Sequence, residues 1–412
     1  MKRAIALLMV VGLCVSGIQS TAVAQSYGTD IHNTANPASG AMAGVSLARP
    51  QDTPSAIFGN PSTLSDFRGT QFTLGATWSE PTYRLSHNGM VTGMPFAGKS
   101  TSQGCLLPTV GVTQDLAAID LPATIGVGMT ALSGVSEQMT AEMGSMGTHA
   151  EFLVLGANFG VGVDVTERLA LGASATIADS YIGAGFVHNT ATVHDYAVRG
   201  TVGFDFEVTC NTTLGAYYQT KLPFGFKNVL LYSDATLPPG QPPSIMLDLD
   251  LEQPENVGLG LANTSLMNGD LLLACDVMYK AWNGTAYWGD YYRDQWVFAL
   301  GSQLTRGCWK FRVGYAYADN PIDPNPGATI NGMPFGQPVV EYFQATQAGI
   351  ISTHRVSAGV GVEGILPGVS LDLFAGGMLP TSHDYGIHTS QTLEVWYAGG
   401  GVTWKFGQTS CE

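Results

Sequence analysis

From Gln71 to the end of the chain, side chains alternate with a period of two. Between Trp309 and Tyr317, the residues Trp309, Phe311, Val313, Tyr315 and Tyr317 share one face, and Lys310, Arg312, Gly314 and Ala316 share the other. Val198, Val202, Phe204, Phe206 and Val208 oppose Arg199, Thr201, Asp205 and Glu207. Val356, Ala358, Val360 and Val362 oppose Arg355, Ser357 and Glu363. The last run sets Trp396, Ala398, Val402, Trp404 and Phe406 against Thr403 and Lys405. Such a chain builds antiparallel sheet, and alternation alone does not separate a face turned to lipid from one turned to a protein core.

Composition narrows the choice. Only 12% of the residues are charged and 45% are hydrophobic, against about 25% charged in soluble chains. No apolar run after the N-terminus reaches the ~18 residues of a membrane helix. A transmembrane β-barrel fits both facts, since it turns every second residue to lipid. The acidic balance, a net charge of -15, excludes a basic nucleic-acid surface.

Connection lengths point the same way. The alternation predicts strands at 70–79, 105–115, 122–133, 151–165, 168–180, 196–209, 212–230, 246–263, 270–282, 294–305, 308–318, 350–363, 368–379 and 393–406. Short connections (116–121, 166–167, 210–211, 264–269, 306–307, 364–367) alternate with long ones (80–104, 134–150, 181–195, 231–245, 283–293, 319–349, 380–392). Short periplasmic turns and long outer loops are the expected pattern of an outer-membrane barrel. Aromatic residues near predicted strand ends, among them Trp78, Trp282, Trp288, Trp296, Trp309, Trp396 and Trp404, suit the two membrane interfaces.

The N-terminus reads as a secretory signal: Lys2 and Arg3, an apolar run from Ala4 to Val15, and Ala22-Val23-Ala24. Cleavage after Ala24 removes two positive charges and takes the net charge from -15 to -17. Five cysteines then remain: Cys105, Cys210, Cys275, Cys308 and Cys411. Their spacing implies no zinc site, and one disulfide among Cys210, Cys308 and Cys411 is open.

Between signal and strands lies a turn-rich stretch without period, Asn36 to Phe67. Gly40, Gly44, Ala48, Asp52, Ser55-Ala56-Ile57 and Asn60-Pro61 resemble the hatch of the long-chain fatty acid and aromatic hydrocarbon outer-membrane transporters, the FadL/TodX family. Ser62 stands where that family usually has Ala. Gln253–Gly260, Cys275–Tyr279 with Trp282, Phe311–Tyr317 with Asn320-Pro321, and His354–Gly361 resemble its later strands in order and spacing. Two departures are the tail 407–412 after the last strand and the long Pro/Gly-rich loop 319–349.

The resemblance implies an all-β fold: a monomeric barrel of about 14 strands (69–406) in the outer membrane, with an N-terminal hatch (25–68) inside. Outer-membrane lipid and the barrel assembly machinery are the implied partners, with no cofactor or nucleic acid. Cargo is implied to be hydrophobic: long-chain fatty acids first, aromatic or alkane hydrocarbons as the alternative. The implied ligand contacts are the loops 181–195 (Phe186, Val187) and 231–245 (Leu231, Tyr232), the mature terminus Gln25-Ser26-Tyr27, and Phe58. Hatch movement about Asn60-Pro61, and a bend in the third strand near Pro122, Gly126 and Gly128, are implied to open the wall sideways. A carboxylate cargo would want a basic residue, for which Arg84 and Lys221 are candidates.

No catalytic pattern competes. There is no Gly-x-Ser-x-Gly elbow, no His-Glu-x-x-His and no phosphate loop, and the eight histidines match no metal spacing. An outer-membrane lipase, a general porin and an adhesive barrel are therefore lesser readings. The charged residues Arg199, Asp205, Glu207, Asp276, Lys280, Lys310, Arg312, Arg355, Glu363 and Asp372 fall on the lumen face. They read either as a path for a charged head group or, preferably, as a paired network holding the hatch.

Overall fold

A computed structural model describes residues 35–184, 193–233, 244–348 and 352–406. Fourteen wall strands follow in chain order: β1 (Thr70–His87), β2 (Cys105–Asp115), β3 (Ala123–Gln138), β4 (His149–Asp164), β5 (Leu169–Ala184), β6 (Val193–Thr209) and β7 (Thr212–Gln219), then β8 (Asn256–Leu266), β9 (Leu271–Lys280), β10 (Gln295–Arg306), β11 (Trp309–Ala318), β12 (His354–Leu366), β13 (Val369–Tyr385) and β14 (Thr389–Phe406). Each pairs antiparallel with the next. β1 closes the ring on β14, from Thr70 opposite Phe406 to His87 opposite Thr389. A closed ring leaves no unpaired edge.

The apolar face of the alternation points outward. On β11, Trp309, Phe311 and Val313 are 51%, 49% and 57% exposed while Arg312 between them is 3% exposed. Val198, Val202 and Val208 on β6 are likewise exposed, and Arg199, Thr201 and Asp205 are buried inside. A closed barrel with this apolar outer wall is an outer-membrane β-barrel.

The strands run longer than the alternation predicts. β1 continues from Ser79 to His87 through Glu80, Arg84 and Ser86, and β13 continues through Thr381, Ser382 and His383 to Tyr385. Beyond the lipid a strand needs no apolar face, so these polar extensions read as loop. The expected long connection 380–392 is in fact three residues, 386–388, turned by Gly386 at φ +60°. Conversely, the predicted strands 212–230 and 246–263 each break. Beyond Gln219 and before Asn256 the chain forms a separate hairpin, Leu222–Ser233 with Ser244–Gln253. Cys105, Cys210, Cys275 and Cys308 are all unbridged. The signal segment 1–24, Gln25-Ser26-Tyr27, Phe186-Val187, Cys411 and the tail 407–412 lie outside the described residues.

Candidate functional site

Residues 35–68 occupy the bore, and from Ala35 to Ser65 only Arg49 and Gln51 escape full burial. The segment folds around one carboxylate. Asp52 caps the short helix α1 (Thr53–Phe58): its Oδ1 accepts from Ser55 N and Oγ at 2.9 and 2.6 Å. Its Oδ2 accepts from Ala38 N and Ser39 N at 2.9 and 2.8 Å. One side chain thus ties the two halves of the plug together.

Asn60 caps the following turn, Pro61–Asp66. Its Oδ1 accepts from Ser62 Oγ at 2.7 Å. Its Nδ2 donates at 2.9 Å both to Leu47 O within the plug and to Phe204 O of β6. Other anchors come from all round the wall. Thr77 of β1 donates to Ala35 O at 2.9 Å, and Gln219 of β7 to Phe58 O at 3.2 Å. Asp276 of β9 accepts from Ser46 N and Leu47 N at 2.7 and 3.1 Å. Arg355 of β12 donates to Ala43 O at 2.6 Å, and Asn158 of β4 to Ile57 O. A segment bonded to strands on every side lies inside the ring.

The wall approaches the plug closest at glycines. A Cβ on Gly172 would overlap Ser62 N and Pro61, and one on Gly314 would overlap Met42 and Ala43. Gly126 and Gly128 serve the same end, against Ile57, Leu64 and Phe58.

Four of the lumen charges form ion pairs near the short-turn end. Arg312 Nη1 meets Asp372 Oδ1 at 2.5 Å, and its Nε donates to Gln303 Oε1 at 2.6 Å. Glu363 Oε1 bridges Lys310 and Lys405 at 2.9 and 3.1 Å. With Arg49 and Asp66 these groups line a polar cavity of about 250 Å³ at the short-turn end, below the plug. Glu207 is exposed, near enough to Asp66 and Asp205 to act on both.

Above the plug the bore is aromatic. The connection after β9 folds inward. Its Trp282 and Trp288 rings meet edge to face at 6.3 Å, and Trp288 stacks on Tyr292 at 5.6 Å. Burial raises the pKa of Tyr287, Tyr291 and Tyr292 in this loop. The connection after β11, read in the sequence only as a long Pro/Gly-rich loop, folds across the mouth as a cap. Its helix α2 (Gln337–Phe343) buries Val340, Tyr342 and Phe343. Tyr342 Oη pairs with Thr148 Oγ1 at 2.9 Å, and its ring lies 4.6 Å from His87. Gln344 Nε2 donates to Tyr291 O at 3.0 Å. Nothing in the period-two pattern marks this cap.

The side wall is discontinuous between β2 and β3. β2 pairs with β3 only from Thr109 opposite Thr130 to Asp115 opposite Thr124. Above that rung, β3 bulges at Leu132 against β4. Pro108 marks where the β2–β3 ladder ends. Its carbonyl points toward β3, where Thr130 Oγ1 donates to it at 3.4 Å, and proline has no N–H to donate back. Pairing resumes only at Thr101 N to Gln138 O, 2.9 Å. The resulting window is flanked by Cys105, Leu107, Ala131 and Leu132, all buried. Its sill touches the plug: Thr109 Oγ1 bonds Thr130 Oγ1 at 2.8 Å and donates to Asn36 Oδ1 at 3.1 Å.

The bend expected near Pro122, Gly126 and Gly128 is thus displaced upward. Pro122 precedes β3, and Gly126 and Gly128 sit in regular pairing opposite Thr113 and Gly111. Pro108, Leu132 and Asn36, which form the window, are residues the sequence reading did not select. Phe58 is buried on the plug, its ring beside Gly128 of β3. Leu231 and Tyr232 lie on the Leu222–Ser233 hairpin strand, and their side chains fall outside the described residues.

This arrangement of ring, plug and long outer connections recurs among solved structures. A Pseudomonas aeruginosa FadL homologue aligns with a TM-score of 0.68 at 15% identity, covering 90% of this chain and 98% of its own. The chain has the FadL/TodX barrel fold. The P. putida toluene transporter TodX (TM-score 0.62, 19% identity, 92% and 99% covered) and the Ralstonia pickettii toluene transporter TbuX (0.61, 17%, 90% and 98%) share it. The sequence matches no family profile and no curated protein.

Proposed function

We propose that the protein is a passive channel for hydrophobic small molecules, capturing them at the outer mouth and releasing them sideways into the membrane. One observation carries the reading. The buried apolar cluster is continuous from the outer aromatics (Trp282, Trp288, Tyr342), over the plug face (Ile57, Phe58), to the window residues Leu107 and Leu132. An apolar cargo following it avoids re-entering water, a step worth about 0.8 kcal/mol per CH₂. Plug movement about Asn60-Pro61 then opens the path at the sill.

The two cargo classes differ by a carboxylate. Arg84 is paired with Glu394 at 3.4 Å and Lys221 with Glu252 at 3.0 Å, so both candidate counter-ions already have acidic partners. That favours neutral hydrocarbons, of which toluene is the cargo of the similar TodX and TbuX transporters, over ionised fatty acids. Uptake of labelled toluene and labelled oleate by cells lacking their own transporter tests both levels. Toluene uptake above oleate supports the neutral cargo, oleate uptake reverses the choice, and uptake of neither by a correctly assembled barrel refutes the channel.

A further inference from the structure

A carboxyl group is buried in the apolar outer chamber where no anchoring role accounts for it. Glu137, near the outer end of β3, is 1% exposed. Gln391 Nε2 of β14 donates to its Oε2 at 2.6 Å, and Tyr385 Oη donates to Gln391 Oε1 at 3.2 Å. Glu137 Oε1 has no hydrogen-bond partner, and neither has Tyr83 Oη on β1, also buried to 1%. The titratable groups facing Glu137 are Tyr83, Tyr342 and Tyr385, and no Lys or Arg acts on it. Tyr83 stands opposite Leu393 and Leu85 opposite Gln391, so Tyr83 and Gln391 lie two rungs apart on the inward face of the β1–β14 ladder. Two orphaned polar atoms thus belong to residues close enough to act on each other electrostatically, in a patch they share with Gln391, Tyr342 and Tyr385. Leaving such groups unpaired is costly, and a built pair of them usually has an occupant or a purpose.

We propose that Glu137 and Tyr83 form a station that reads a single hydroxyl group on an otherwise apolar, uncharged ligand, a phenol or an alcohol. The ligand hydroxyl donates to Glu137 Oε1 and accepts from Tyr83 Oη. A carboxylate-bearing ligand is turned away, because it would lose water beside an acidic group with no cation to receive it. The inference rests on the chamber being the cargo path, and it adds a selection among neutral cargos that apolar walls alone cannot make. Sites that pair a ligand hydroxyl discriminate far better than sites that only bury surface.

The test is equilibrium binding of p-cresol, toluene and p-toluate to the full-length protein in lipid nanodiscs, with empty nanodiscs subtracting partition into lipid. The three probes share a ring and a methyl group and differ in a hydroxyl, a hydrogen and a carboxylate. The wild type is expected to prefer p-cresol over toluene by about 5- to 100-fold and to bind p-toluate weakest. E137L abolishes the p-cresol preference and leaves toluene unchanged. E137Q keeps the preference and admits p-toluate. Y83F removes only a hydroxyl without a partner, so it leaves assembly intact and lowers the preference several-fold, which decides the matter if E137L fails to assemble. Equal binding of p-cresol and toluene by the wild type, or an unchanged ratio in Y83F, overturns the station. If p-cresol is preferred while expressing cells take up none of the probes, the station stands and the channel reading falls.

Discussion

Replacing Asn60 by alanine removes hydrogen bonds to Leu47 O and Phe204 O at 2.9 Å each, and the acceptor of Ser62 Oγ at 2.7 Å. Three bonds at about 1 kcal/mol each, with relaxation of the freed carbonyls, put the loss near 2–4 kcal/mol. At 1.4 kcal/mol per decade, the seated plug loses roughly 30- to 700-fold against displaced states. N60D sharpens the test. It is isosteric, yet it turns an acceptor toward two carbonyl oxygens that the native amide serves as donor, so it should be worse than N60A. The assay is open-state conductance in planar bilayers, with heat-modifiable migration in gels confirming that the barrel is closed. Conductance should rise in the order wild type, N60A, N60D. If both variants are assembled and as silent as the wild type, Asn60 does not hold the plug and the reasoning from its bonds is refuted.

P108A restores a backbone donor facing β3 and extends the ladder; uptake of apolar probes should fall several-fold at unchanged thermal stability, and unchanged uptake would remove the window from the path. G172V drives a side chain into Pro61 and Ser62; it should displace the plug and raise conductance as Asn60 variants do, and a silent channel would count against close wall contact there. R312M strands Asp372, a buried partner at 2.5 Å; a loss of about 3–5 kcal/mol is expected, read as a lower unfolding temperature, with R312M/D372N recovering much of it. Equal stability of the single and double variants would show the pair to be uncoupled.

Sequence periodicity revealed the wall because lipid imposes the same rule on every rung. The outward faces of β6, β11, β12 and β14 were legible residue by residue. That rule stops at the lipid boundary, so the polar outer halves of β1 and β13 were read as loop, and the cap through α2 was not seen. The plug was legible only through the resemblance of Asn36–Phe67 to the FadL/TodX hatch, since its caps, Asp52 and Asn60, alone would suit any turn-rich loop. The window was not, because a missing ladder bond leaves no hydropathy mark. Pro108 was the available signal, a proline inside an otherwise regular strand, and attention went instead to the glycines of β3. Those glycines answer to the plug's bulk. Of the lumen charges, Lys310, Arg312, Glu363 and Asp372 form ion pairs, while Asp276 and Arg355 hold plug backbone instead.

Because Pro108 has no N–H, the seam between Thr109 and the Thr101–Gln138 bond carries no backbone rung, like a zip fastener with a few teeth never cut. Parting Leu107 from Leu132 there breaks no peptide hydrogen bond between β2 and β3. The wall can therefore yield at this point against apolar contact and one side-chain bond, from Thr130 to the Pro108 carbonyl, while every rung below it stays locked. Leakiness of such a seam would be set by the bulk of two leucines.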